Sequence, residues 1–470
     1  MIELSVTEVA KTLQAIITGN IETKPTFPSV SIDSRTIAPG QCFVAIKGTR
    51  LDGHNFLEEA LEKGASLIIH SDSSVNFPMW KDRIFMQVDD TTSALQVLSH
   101  YVRKKWNRSV IAITGSIGKT TTREFISSLL GQRFKICQSP SNFNNEIGVP
   151  LSLLQLNKED DLAVLELGMN HSGEIRLLSN ISSPNFVLLT NIAAVHLEFF
   201  PDLDAIATAK GEILENLTQK EPLFFNADDH RISKLASSYT GPKISFGLHK
   251  KADIRISNYQ IENLEKMNFQ INSDQVNIKA TVPFAGEHLL YNIAAAVAVA
   301  TSFNLSKNEI SQGIKQLKIP SMRGQILRIG KPGNQLTIWD DCYNSNPESL
   351  RVILETINYL KDFQRKILAL GEMLELGPTG PNFHYQVGKQ IAQSSTNLLV
   401  TVGEGGLEIG RGAQEAGFPS KKSEHFKTAE QATDFLIDQI VPGDFLLVKG
   451  SRRVAMDKIV KQIINMGGPV

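Results

Sequence analysis

The stretch "IAITGSIGKTTTREF", Ile111 to Phe125, decides how the rest of the chain is read. It has the look of a phosphate-binding loop, Gly-x-x-x-x-Gly-Lys-[Ser/Thr], but its first glycine is displaced. Counting back from Gly118-Lys119-Thr120, that glycine belongs at 113; Ile113 stands there, and the extra glycine is Gly115. The context still suits phosphate. "SVIAIT" reads as a strand, "GSIGK" as a turn and "TTTREFISSLLGQ" as a helix. Glycines let backbone N–H groups approach phosphate oxygens, and the start of a helix is electropositive. Lys119 is placed to meet terminal phosphates and Thr120 to ligate Mg²⁺. A plain strand-to-helix turn using glycine for its geometry is the alternative.

Working outward, short continuous apolar runs recur after this loop: "LAVLELG", "FVLLTNI" and "PLFFNAD". Such runs are expected of parallel strands covered on both faces. From Lys243 to about Glu287 the pattern alternates with period two, which predicts antiparallel strands. "HLLYNIAAAVAVATSF" reads as a buried helix. Before the loop, "CFVAIKG", "SLIIHSD" and "IFMQVDD" alternate with helical patterns, a small α/β domain. After "LKIPSMRGQ" (Leu317 to Gln325), whose Pro and Gly mark a boundary, a third α/β block carries "LTIWDDC", "KILALGE", "LLVTVGE" and "DFLLVKG". The expected domains are 1–105, 106–320 and 321–470, in keeping with 470 residues at ~150 per domain.

The net charge of −1, with Lys and Arg spread throughout, argues against a nucleic-acid surface. Three scattered cysteines (Cys42, Cys137, Cys342) and an N-terminus that is not a signal peptide predict a reducing cytoplasm. No run of ~18 apolar residues exists, so membrane insertion is not expected.

Several strand ends deliver polar residues to where ligands bind in open α/β sheets. Glu166 ends "LAVLELG", His196 follows "FVLLTNI", and Asn170 lies in the turn "GMNHSGEI". A carboxylate suits Mg²⁺; alone, Glu166 and His196 read equally as ordinary strand-end residues. Lys210, on the helix "DAIATAKGEILENL", reads as a solvated surface charge. "WDDCYNSNPESL" ends a strand with two acids and opens a helix at Asn346-Pro347, where Asn suits the cap and Pro the first turn. "MLELGPTG" and "VKGSRRVAMD" read as domain-cleft loops. Ser, Asp, Arg, Lys and His crowd "SIDSRTIAPGQCFVAIKGTRLDGHNF", either a polar ligand site or a solvated loop.

Together these pieces resemble the Mur ligase family, ATP-dependent enzymes that add amino acids to the cytoplasmic peptidoglycan precursor. "TGSIGKTT", Thr114 to Thr121, is similar to the family's own loop, T-G-[ST]-x-G-K-[ST]. The displaced glycine is thus a family variant. The pattern "DSR…PG…F.A..G.R.DGH.F" from Asp33 to Phe56 is shared by two members, one adding the third stem-peptide residue and one adding D-alanyl-D-alanine. "DDCYNSNPESL" and "GEMLELG" (Gly371 to Gly377) resemble the second, and no D-N-P-R motif is present. Ser345 replaces a usual Ala, Cys342 a usual Ser or Ala, and Glu372 a usual Asp.

The resemblance implies an α/β fold of three domains. These are a small UDP-binding domain, a central P-loop ATPase domain with a mostly parallel sheet plus a small antiparallel sheet, and a Rossmann-like C-terminal domain. It implies a monomer acting on UDP-N-acetylmuramoyl-tripeptide and D-alanyl-D-alanine, with ATP and two Mg²⁺ ions. Thr114, Gly115, Ser116, Ile117, Gly118, Lys119, Thr120 and Thr121 would hold phosphates. Asn292 would contact adenine, and Arg323 and Asp340 would close over ATP. Thr120, Glu166, His196 and a carbamylated Lys210 would hold metal, with Lys119, His196 and Lys210 the catalytic set. Ser34, Arg35, Lys47, Asp52 and His54 would hold the UDP end, Asn344 and Asn346 the dipeptide, and Asn142, Asn145 and Asn170 would also bind substrate. Competing expectations are the sister ligase and a P-loop nucleotide switch.

Overall fold

The computed structural model describes all residues except 1, 20, 22–25, 75–79, 81, 141, 250, 332, 361 and 468–470. Its centre is a nine-stranded sheet built around Ser109–Thr114, the strand that feeds the glycine loop. All six residues of that strand except Ser109 are buried, because helices cover both faces. Its parallel neighbours are Leu162–Glu166 and Phe186–Leu189. The register sets Glu166 opposite Ile113 and Leu189 opposite Thr114. Three chain segments therefore leave the sheet at one carboxyl edge, which is where the candidate site forms.

The sheet continues from Phe186–Leu189 through Leu223–Asn226 and Lys243–Gly247 to Ile254–Glu262. The segment expected to be antiparallel from Lys243 is so only in part: Lys243–Gly247 pairs parallel with Leu223–Asn226, while Ile254–Glu262, Lys266–Asn272 and Asn277–Val282 pair antiparallel with one another. It does not form a separate layer: two parallel pairs, Phe246 with Ile254 and Gly247 with Arg255, join it to the parallel strands. On the far edge lies Ile136–Gln138, whose three residues are too few to show any period. Glu287–Ser302 is the expected buried helix, with Leu289 through Val299 forming an apolar rod broken by Tyr291 and Asn292. It lies along the loop helix Lys119–Leu130, where Phe125 stacks on Phe284 at 5.7 Å.

In the first block, Ile16–Thr18, Ile84–Gln87, Leu67–His70, Cys42–Val44 and Val30–Ser31 form a five-stranded sheet, antiparallel only at its first pair. Helix Thr91–Trp106 follows, capped by Asp90 accepting from the Ser93 N–H. Its apolar face does not stay in that block. Leu95, Leu98 and Val102 pack in one core with Leu165, Ile175 and Leu178 of the central sheet and its helices. Arg103 donates to the Ser182 and Ser183 carbonyls, and the Trp106 indole to Asn157 O.

The third block is a six-stranded sheet in the order Gln325–Lys331, Asn334–Asp341, Phe445–Lys449, Lys366–Gly371, Leu398–Val402 and Ser423–Phe426. Only its first pair is antiparallel. Two strands escaped the sequence reading. Gln325–Lys331 adjoins the Pro- and Gly-bearing boundary, and Ser423–Phe426 ("SEHF") is polar. The helix after "WDDCYNSN" is Pro347–Tyr359, with Asn346 capping it through the Ser349 N–H and Pro347 in its first turn.

Candidate active site

The glycine loop owes its shape to backbone that other residues resist. Gly115 has φ 146° and Gly118 φ 84°. A β-carbon on Gly115 would lie 1.9 Å from Thr190 Oγ1, and one on Gly118 2.8 Å from Asn292 Oδ1. Position 113, where the general motif wants glycine, is inside the strand and fully buried as Ile113. The loop is stapled to the segment after Phe186–Leu189. Ser116 N donates to Asn191 O, Ile117 N to Asn191 Oδ1, and Thr190 Oγ1 to Ile117 O. Thr190 and Asn191 escaped the sequence reading; "LLTNI" gave only their place at a strand end. Lys119 Nζ folds back to donate to Gly115 O at 2.8 Å and Ser116 O at 3.2 Å. Burial lowers its pKa, and Arg323 nearby lowers it further against the pull of Glu166. Thr114 Oγ1 is buried with no partner among the described residues, and Thr121 is buried.

Thr120 and Glu166, which the resemblance gives to two different Mg²⁺ ions, are in direct contact: Thr120 Oγ1 donates to Glu166 Oε2 at 2.7 Å. The other carboxylate oxygen accepts from Asn144 Nδ2 at 2.9 Å, and Arg123 stands 3.7 Å away. Asn144 was missed because "SNFNNEIGVP" holds three asparagines that sequence alone does not rank. Of its neighbours, Asn145 Oδ1 accepts from the Gly148 N–H at 2.8 Å, and Asn142 is exposed. Asn170 is exposed, its backbone N–H held by Glu174.

Lys210 corrects the reading of a solvated charge. It is 1% exposed, and among the described residues no hydrogen bond or salt bridge holds its amine. Burial drives its pKa well below the usual lysine range, and the charge of Lys119 adds to the effect. His196, at φ 58°, is bonded through Nδ1 to Glu375 Oε2 of the third block at 2.6 Å. No hydrogen bond joins either residue to Thr120 or Glu166, and no trio of His, Cys, Asp or Glu among the described residues is preformed for a metal.

Asn292 is buried against the loop and accepts from Thr122 Oγ1. From the third block, the Arg323 guanidinium lies 3.8 Å from the centre of the Tyr343 ring, a cation–π contact. Asp340 is buried, and burial raises its pKa. Asn344 Oδ1 accepts from Ser345 N, while Asn344 O and Asp341 both accept from the buried Lys449 ammonium.

In the first block the named side chains are largely engaged with one another. Ser34 donates to Glu59, and Arg35 grips Asp33, whose pKa falls to about 2. Asp52 accepts from His54 N and Nδ1, and His54 Nε2 accepts from Ser71 N. Lys47 bridges to Asp52 through backbone and is exposed.

A glycine loop at a helix start, backed by a hydroxyl–carboxylate pair and faced by a third α/β block, defines a nucleotide-phosphate-binding protein of the P-loop class. Comparison with known proteins narrows this. Residues 26–130 match the Mur ligase family catalytic domain, 113–300 the Mur ligase middle domain, and 322–452 the glutamate ligase domain of Mur ligases. The chain is 30% identical over 467 residues to the UDP-N-acetylmuramoyl-tripeptide–D-alanyl-D-alanine ligase of Bacillus subtilis, covering 99% of each. A crystal structure of MurF from Acinetobacter baumannii matches 98% of this chain and 99% of its own, at TM-score 0.85 and 29% identity. MurF from Thermotoga maritima in complex with ADP matches 93% and 97%, at TM-score 0.79 and 26% identity. The chain belongs to the Mur ligase family.

Proposed function

We propose that this chain is an ATP-dependent ligase that joins D-alanyl-D-alanine to UDP-N-acetylmuramoyl-tripeptide in the cytoplasm, acting as a monomer. The end-to-end likeness to ligases of that name supports the substrate pair. The observation that carries the mechanism is Lys210, a buried amine with no counter-ion among the described residues. An unpaired lysine is costly to bury. As a neutral amine it is a nucleophile toward carbon dioxide, and the carbamate so formed is an anion able to reach a metal.

The residues fit the groups the family uses. Thr114 to Thr121 cradle the phosphates, with Lys119 on the terminal ones. Asn292 meets adenine, and Arg323 and Asp340 close from the third domain. Thr120, Glu166, His196 and carbamylated Lys210 hold two Mg²⁺ ions, which offset the charge on phosphate oxygens when bound. The hydroxyl and carboxylate of Thr120 and Glu166 are hard oxygen donors already in contact. Ser34, Arg35, Lys47, Asp52, His54, Asn142, Asn145 and Asn170 serve the UDP-tripeptide; Asn344 and Asn346 serve the dipeptide. The domains run 1–105, 106–320 and 321–470.

In the reaction, the tripeptide carboxylate attacks the γ-phosphate and ADP leaves. The resulting acyl phosphate is attacked by the dipeptide amine, and phosphate leaves with formation of the amide. Lys119 lowers the repulsion between the two anions of the first step. A site assembled from three domains excludes water from the acyl phosphate when closed.

The test is release of ADP and phosphate with UDP-N-acetylmuramoyl-tripeptide, with and without D-alanyl-D-alanine, while mass spectrometry follows the nucleotide product. Dipeptide-dependent release, with a product heavier by the dipeptide less water, is the expected result. Release triggered instead by a free amino acid assigns the chain to the sister ligase. Slow hydrolysis without amide formation assigns it to a nucleotide switch.

A further inference from the structure

The loop Met373 to Gly377 of the third block is a rigid tooth. Met373 and Leu376 are buried in that block's core. The backbone between is pinned from two sides: Met373 N donates to His384 Nε2 at 2.8 Å, and Leu374 N to Ser451 Oγ at 2.9 Å. His384 is itself fixed, its Nδ1 donating to Gly380 O at 2.7 Å. This clamp turns Glu375 outward at φ 63°, against the central block. There Glu375 O accepts from Glu198 N at 3.2 Å and its carboxylate accepts from His196 Nδ1 at 2.6 Å. Gly377 fits so tightly that a β-carbon would lie 3.1 Å from Glu198 Cα.

We infer that Glu375 is a positioning residue, through which docking of the third domain orients His196 and fixes which of its nitrogens is free. A carboxylate only accepts, so Nδ1 carries a proton on this side and Nε2 is the nitrogen left to face a cation, which a ring in its neutral form can bind. That is the form a divalent cation takes, and a carboxylate behind a ligating imidazole raises its basicity. The metal site is therefore complete only when the third domain has docked. The inference rests on the reading of His196 as a metal ligand.

The test measures Mn²⁺ bound to the full-length protein with ADP, by electron paramagnetic resonance, in Glu375→Ala, Glu375→Gln and His196→Ala. Glu375→Ala is expected to weaken Mn²⁺ binding by about 10–100-fold and to lower kcat with the KM for ATP unchanged. Glu375→Gln, whose amide oxygen still accepts from Nδ1, is expected to restore most of both. Unchanged Mn²⁺ affinity in Glu375→Ala overturns the inference, even if X-ray scattering shows looser domain docking, and so does a glutamine variant as weak as alanine. If His196→Ala also binds Mn²⁺ normally, the metal-ligand reading fails first and this inference with it.

Discussion

Gly115 stands against Thr190 so closely that a β-carbon added to it would lie 1.9 Å from the threonine hydroxyl oxygen. The displaced glycine of the loop is thus fixed by the neighbouring strand end as well as by its own φ of 146°. Gly115→Ala is expected to cost about 1–3 kcal/mol of stability and to abolish ATP turnover. Adding Thr190→Ala removes the nearest atom but not Asn191 N at 3.1 Å, so stability recovers only in part. Chemical denaturation of the single and double variants checks this.

Lys119 is the one cationic residue of the loop Thr114 to Thr121, and the proposed function sets it on the terminal phosphates. Lys119→Ala is expected to cut ADP release by about 10²–10³-fold or more while leaving the unfolding midpoint near that of the parent, because its ammonium bonds only loop carbonyls. Full turnover by the variant would refute the loop assignment.

Asn144 holds one oxygen of Glu166 and Thr120 the other. Asn144→Ala frees that oxygen and is expected to raise the Mg²⁺ needed for half-maximal rate by about 10-fold. Asn144→Asp sets a second carboxylate against Glu166 and is expected to be worse than alanine. Rates over a Mg²⁺ titration distinguish the two.

Lys210 supplies a chemical prediction. With ¹³C-bicarbonate, the parent protein is expected to show a carbamate carbon resonance that Lys210→Met lacks. Since methionine removes a buried amine that has no partner among the described residues, the variant is expected to melt at a higher temperature although it is inactive.

His384 links stability to pH. Burial lowers its pKa below 6.5, and its Nε2 must stay unprotonated to accept from Met373 N. The unfolded chain binds the proton at about pH 6.5, the folded chain at lower pH. This contribution is therefore complete above about pH 6.5 and is lost as pH falls through the window below it. The unfolding midpoint of the parent should drop more between pH 7 and 5 than that of His384→Gln.

The sequence exposed what is local and periodic. The strand–loop–helix from Ser109, the rod Glu287–Ser302 and the Asn346 cap could be read because apolar period and capping chemistry lie in consecutive residues. Glu166 and Thr120 could each be singled out because they sit at a predicted strand end and helix start, but their direct contact could not be read. What stayed hidden depends on which side chains meet across the chain. Lys210 reads as a surface lysine until the helix face it occupies is known to be buried. Asn144 cannot be told from Asn142 and Asn145 until one of them touches Glu166. Glu375 belongs to a loop whose partner lies 179 residues away. The resemblance supplied a role for Lys210, and the fold supplied its burial.

The helix Thr91–Trp106 has a mechanical consequence. By sharing its apolar face with the central sheet's own helices, it welds the first two blocks into one bench with no slip plane between them. The third block touches that bench at small patches. Leu264 at a hairpin tip reaches into its core, with Glu265 bonded to Arg328 at 2.6 Å, and the tooth at Glu375 engages His196. On the proposed substrate assignments the UDP end would then rest on the bench, and reach toward the dipeptide would be set by the seat of the third block at these two patches.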